Sequence, residues 1–172
     1  MSFLSRFNLK WLAYGLELFL VYIIQCTPNL LPGFLGVKPL LLVVFAISIA
    51  MFEGDGPAIW IGLSAGLLMD LQSGNQGFGF NAILLMIICF VCGTLVVYLM
   101  RNNIITAIVL AFGSMLILGL LRWLFFYVIP GDPKVGYYLY AVMLPQIVYT
   151  VLAMPIAFYF NRAIATHLVS ED

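Results

Sequence analysis

The sequence predicts an all-α integral membrane protein, a compact bundle of about six transmembrane helices. Three observations lead there. Of the 172 residues, 65% are hydrophobic and 8% are charged, whereas a soluble domain carries roughly 45–50% apolar and about 25% charged residues. Mean hydropathy is +1.14, so much of the folded surface must itself be apolar, as a lipid solvent requires. Apolar runs approach the roughly 20 residues that cross a bilayer as a helix, with short polar breaks between them. The chain reads as a single domain. Formal net charge is +0, which leaves no electrostatic footprint for nucleic acid.

The first run, 11–31, is interrupted only by Glu17. Its length exceeds the roughly 7–15 apolar residues of a cleavable signal, so it reads as an anchor. Spans two and three are placed at 34–52 and 57–71, around the break Glu53-Gly54-Asp55-Gly56-Pro57, a strong turn signal. The segment 39–71 can also be drawn as one re-entrant hairpin. That would hold Glu53 and Asp55 near mid-membrane at about 2.5–3.5 kcal/mol each, so two spans are preferred. Spans four, five and six follow at 79–100, 103–129 and 136–160. Pro145 and Pro155 lie inside the last, as kinks or as hinges.

Orientation follows from Lys and Arg, which favour the cytoplasmic side. With the N-terminus inside, Arg6, Lys10, Arg101 and Arg162 fall inside, and Lys38 and Lys134 outside. Both termini are then cytoplasmic in a multi-pass protein. Trp123, Tyr127, Tyr137, Tyr138 and Tyr140 form an outer aromatic belt, with Trp11 and Tyr14 at the inner face.

Little in the chain points to catalysis. Gly62-Leu63-Ser64-Ala65-Gly66 fits the G-x-S-x-G pattern, but that motif needs a strand–turn–helix and a histidine base. Here it lies in a helix, and the sole histidine is His167. Gly62 and Gly66 read instead as a small-residue face for close helix packing. The cysteines, Cys26, Cys89 and Cys92, have no metal-ligand spacing with His167 and read as small packing residues. No catalytic, cofactor-binding or metal-ligating residue is expected, and no cofactor.

The charges inside the spans are weighed singly. Glu17 lies roughly 9 Å into the first helix beyond Trp11, an intramembrane acid of unknown role. Arg122 lies roughly 10 Å before the end of the fifth, where it either snorkels outward or pairs. Asp70 closes the third span at the same level, so an Asp70–Arg122 pair joining helices three and five is expected. Asn81, just inside span four, is suited to bridging helices.

The stretch from Gly66-Leu67-Leu68-Met69-Asp70 through a polar loop to Gly77-Phe78-Gly79-Phe80-Asn81-Ala82 resembles the signature of the bacterial rod shape-determining MreD family. That family shows a G-L-x-x-D segment, a small-residue loop and a glycine-led entry into the next helix. Asp70, Gly66, Gly77, Gly79 and Asn81 are the positions that carry the resemblance. It implies a fold similar to the S components of energy-coupling-factor transporters, six-helix bundles. It also implies a non-enzymatic scaffold in the bacterial cell membrane, supporting lateral peptidoglycan synthesis. The partners implied are the single-pass protein MreC, RodA, its class B penicillin-binding partner and MreB. Gly62, Gly66, Gly113 and Gly119 are the small residues expected to admit the MreC helix, and self-association stays open. The alternative is an S-component-like subunit that binds a small molecule such as a vitamin. That alternative predicts a polar, roomy cavity near the outer face.

Overall fold

The computed structural model describes residues 3–28, 30, 33, 36–74 and 77–169. Leu31, Phe34 and the side chain of Arg6, which enter the reading above, lie outside the described residues. The chain forms an all-α bundle. In order it contains α1 (Phe3–Cys26), α2 (Leu41–Glu53), α3 (Asp55–Ser73), α4 (Phe80–Tyr98) and α5 (Ile104–Trp123). Then follow α6 (Val135–Tyr138), α7 (Leu144–Leu152) and α8 (Met154–Val169). Two π-helical turns, Leu124–Val128 and Leu139–Met143, continue α5 and join α6 to α7. Among the described residues four helical stretches are long and apolar enough to cross a membrane: Leu9–Cys26, Phe80–Tyr98, Ile104–Val128 and Val135–His167.

The short helix α2 is the centre. Leu42, Val43, Val44, Ala46, Ile47, Ile49 and Ala50 are all fully buried, with α1, α3, α4, α5, α7 and α8 packed around them. A helix that is apolar on every side belongs in such a position. The sequence reading starts this helix at 34, which is a correction. Gly36 adopts φ +79°, and Pro39 disfavours helical backbone at Lys38, so the helix begins only at Leu41.

Both ends of α2 need hydrogen-bond partners, because the terminal N–H and C=O groups of a helix have none of their own. The N-terminal end receives them from neighbouring helices. Leu42 N donates to Gln25 Oε1 on α1 at 3.1 Å, and Leu40 N to Thr150 Oγ1 on α7 at 3.0 Å. At the other end Asn102 Nδ2 donates to Met51 O at 3.2 Å. Gly54 then turns the chain at φ +83°, a left-handed value that favours glycine. Gly93 of α4 packs against this turn, where a Cβ would stand 3.0 Å from Gly54 C and O.

The last long stretch is segmented at its prolines. Pro145 cannot donate to Ala141 O, and the π-helical turn immediately before it, where Leu144 N reaches Leu139 O, takes up the misfit. Pro155 cannot donate to Val151 O, and the helix breaks at Ala153, whose N–H donates to Thr150 O at 3.1 Å. The final helix continues well past Phe160, the end expected from hydropathy.

Candidate functional site

The signature stretch forms one compact junction between α3 and α4. Asp70, 1% exposed, sits one turn before the end of α3 and points its carboxylate at the start of α4. Its Oδ2 accepts from Gly79 N at 3.0 Å and Ala82 N at 3.1 Å. Its Oδ1 accepts from Asn81 N at 3.2 Å and Asn81 Nδ2 at 2.8 Å. A carboxylate at a helix N-terminus satisfies N–H groups that otherwise lack partners and meets the positive end of the helix dipole. Here the cap is supplied by another helix. Gly79 lies at φ +94°, which turns the chain so that these N–H groups converge. One turn back in α3, a Cβ on Gly66 would collide with the Cα of Ala82 and stand 2.6 Å from Asn81 O. Gly62 is as tight, at 2.6 Å from Leu85 O and 2.9 Å from Cys89 Cβ.

Two expectations are thereby corrected. Asp70 and Arg122 do not pair: among the described residues no ion pair or hydrogen bond joins them, because the oxygens of Asp70 are occupied by α4. Gly62 and Gly66 are not open to a foreign helix, because α4 of the same chain already fills that face. Gly119 is likewise closed, with Met143 Cε 3.0 Å from where its Cβ would lie. Gly113 alone of the four has open space around it.

Arg122 instead lines a polar cavity of about 240 Å³ with Lys38, Gln25, Gln72, Gln146 and Tyr138. It lies at the end of the bundle where α1, α3 and α5 finish. A polar cavity near the outer face is what the small-molecule alternative predicts, but no sequence signal announced its lining, since these residues come from five separate parts of the chain. Gln25 and Gln72 are tied together there, Gln25 Nε2 donating to Gln72 Oε1 at 2.8 Å, and Gln146 Nε2 donates to Lys38 O at 3.1 Å. At the opposite end Lys10 Nζ lies 2.6 Å from Glu53 Oε1, which also accepts from Tyr14 Oη at 2.8 Å.

Glu17 is 5% exposed, and neither carboxylate oxygen has a hydrogen-bond partner among the described residues. The amide of Asn161 lies beside it, but its Nδ2 donates to Ala157 O at 3.1 Å and its Oδ1 is also unpartnered.

A second concavity is apolar. It measures about 320 Å³ and opens between α1 on one side and α7 and α8 on the other, with Leu41 and Phe45 of α2 among its lining residues. Val21 and Ile24 belong to one wall, and Leu152, Ala153 and Ile156 to the other. Among the described residues no group of three or more His, Cys, Asp and Glu side chains could hold a metal ion.

The family model for rod shape-determining protein MreD matches residues 5–164. No curated protein and no solved structure gives a match.

Proposed function

Because the chain belongs to the MreD family of rod shape-determining proteins, we propose that it is a non-enzymatic scaffold that docks the transmembrane helix of MreC. In this role it supports lateral peptidoglycan synthesis with RodA, its class B penicillin-binding partner and MreB. The observation that carries the docking reading is the apolar groove between α1 and α7–α8. Exposed apolar side chains decide nothing in a bilayer, because lipid tails are as apolar as leucine and helices associate there chiefly by close packing. A groove supports the reading, because a helix seated in it gains contacts on three sides.

The topology we infer has six crossings with both termini cytoplasmic, as in the S-component fold. Four crossings are the long apolar stretches, and α2 and α3 complete the set. The position of α2 supports this. Its first turn is held at the level of Gln25, and its last residue, Glu53, reaches back to Lys10. Those two α1 residues are roughly 22 Å apart along the helix.

Co-purification with tagged MreC from co-expressing cells tests the docking. Ala153→Trp or Leu152→Trp fills the groove and is expected to cut recovered MreC about tenfold, which corresponds to roughly 1.4 kcal/mol. Ile87→Trp, on an exposed face of α4 away from the groove, is expected to leave recovery unchanged. Full recovery with both groove variants would overturn the assignment.

A further inference from the structure

The polar cavity at the α1/α3/α5 end carries a charge imbalance that the bundle does not resolve. Two of its lining residues are cations, Arg122 and Lys38, and none is an acid. Arg122 is half-buried and makes no hydrogen bond or ion pair with any described residue. A guanidinium carries five N–H donors and keeps its charge at any physiological pH. Held within an apolar bundle, such a group is costly unless something anionic compensates it.

Neither of the chain's own carboxylates near this end lines the cavity. Asp70 is occupied by α4, and Asp132 stands in the turn after α5, where one of its oxygens accepts from Lys134 N at 2.9 Å. The neighbouring amides are committed as well: Gln25 binds Gln72 and Leu42 N, and Gln146 binds Lys38 O. Those bonds fix the walls around the guanidinium and leave the donors of Arg122 and the exposed ammonium of Lys38 for a guest. Size narrows the guest further. The cavity, at about 240 Å³, falls below the roughly 300–1,000 Å³ of pockets for drug-sized ligands, which disfavours a whole vitamin and suits a compact anion.

We propose that this cavity binds a phosphate or diphosphate group, with Arg122 as its principal donor and Lys38 at its mouth. Arginine matches phosphate geometry with paired, charge-assisted hydrogen bonds. The phosphate belongs either to a lipid headgroup entering from the bilayer or to a soluble compound. The site shares only Pro39 with the lining of the α1/α7–α8 groove, and the docking reading does not rest on it, so failure here leaves that reading standing, and the reverse holds too.

The test uses the full chain in neutral detergent and in nanodiscs, read by the midpoint of thermal unfolding. Two probes separate the sources: titration with inorganic pyrophosphate, and nanodiscs of phosphatidylglycerol compared with phosphatidylcholine. A pyrophosphate-dependent rise, by ligand linkage, assigns a soluble phosphate compound. A higher midpoint in phosphatidylglycerol without a pyrophosphate response assigns a lipid headgroup. In either case Arg122→Gln is expected to weaken apparent affinity roughly ten- to a hundredfold, and Arg122→Lys to restore part of it. Where Arg122→Gln does not yield folded protein, Lys38→Gln serves, with a smaller loss expected. No response to either probe, or a response that the charge-removing variants keep in full, overturns the proposal.

Discussion

A carboxylate as buried as Asp70 must be compensated, and here the compensation is local in space although it spans two helices. Its two oxygens hold four donors from the first residues of α4. Asp70→Ala would leave the N–H groups of Gly79, Asn81 and Ala82 unsatisfied, and is expected to cost about 3 kcal/mol or more. Asp70→Asn keeps the shape but turns an acceptor into a donor facing donors, at about 2 kcal/mol. Thermal unfolding in detergent checks both, and a wild-type midpoint for Asp70→Ala would refute the cap. Glu17 is the opposite case, a buried carboxyl without a hydrogen-bond partner among the described residues, beside the amide of Asn161. Glu17→Gln removes the charge and keeps the shape of the side chain. It is expected to raise stability by about 1 kcal/mol, and a lowered midpoint would show that Glu17 is satisfied by something the chain does not supply. The type of each of these residues was legible in the sequence, because a charge in an apolar run always needs an account. The partner was not. Asp70 and Arg122 fall at one depth, which made a pair reasonable, but depth along a helix says nothing about azimuth.

At the scale of elements, α3 and α4 form the tightest pair in the fold, and glycine makes it possible. Backbone atoms of α4 lie where a side chain on Gly66 or Gly62 would begin. Even Gly66→Ala must push the helices apart, at an expected cost of about 2–3 kcal/mol, whereas Gly113→Ala meets open space and is expected to be neutral or slightly stabilising. Comparing the two unfolding midpoints tests this, and equal losses would mean the close approach is not what Gly66 provides. The small-residue pattern itself was readable at i, i+4, and so was the need for a neighbour. Which neighbour was not readable, since a small face serves a helix of the same chain as well as a foreign one. The helix α2 shows a second limit. Its apolar run was plain, but hydropathy could not locate its start, because Gly36 and Pro39 interrupt the helix without interrupting the apolar character.

For the whole molecule, the surfaces proposed to function are concavities that only the packing of several helices creates. The groove exists because α1 stands away from α7 while α2 fills the middle. Co-purification with MreC probes a property of three elements together, so Ala153→Trp and Leu152→Trp are expected to lower it without unfolding any one helix. The polar cavity likewise gathers residues from α1, α3, α5, α7 and the segment before α2, separated by as many as 121 positions between Gln25 and Gln146. Linear spacing does not encode such a gathering.

Composition and run length are enough to set the solvent and the class. With 8% charged residues much of the folded surface must face lipid, and apolar runs of about 20 residues cross it as helices, which satisfy their own backbone groups. The sequence also carries the family, through a glycine–aspartate signature whose spacing is the local geometry of the α3–α4 junction. The partners of the polar residues emerge only in the folded bundle. Packing rotates the helices about their axes, and that rotation assigned Asp70 to α4, closed the Gly62 and Gly66 face, and left Arg122 facing a cavity. Helix azimuth is set by the fit of all the side chains at once, a collective property that no single window of sequence contains.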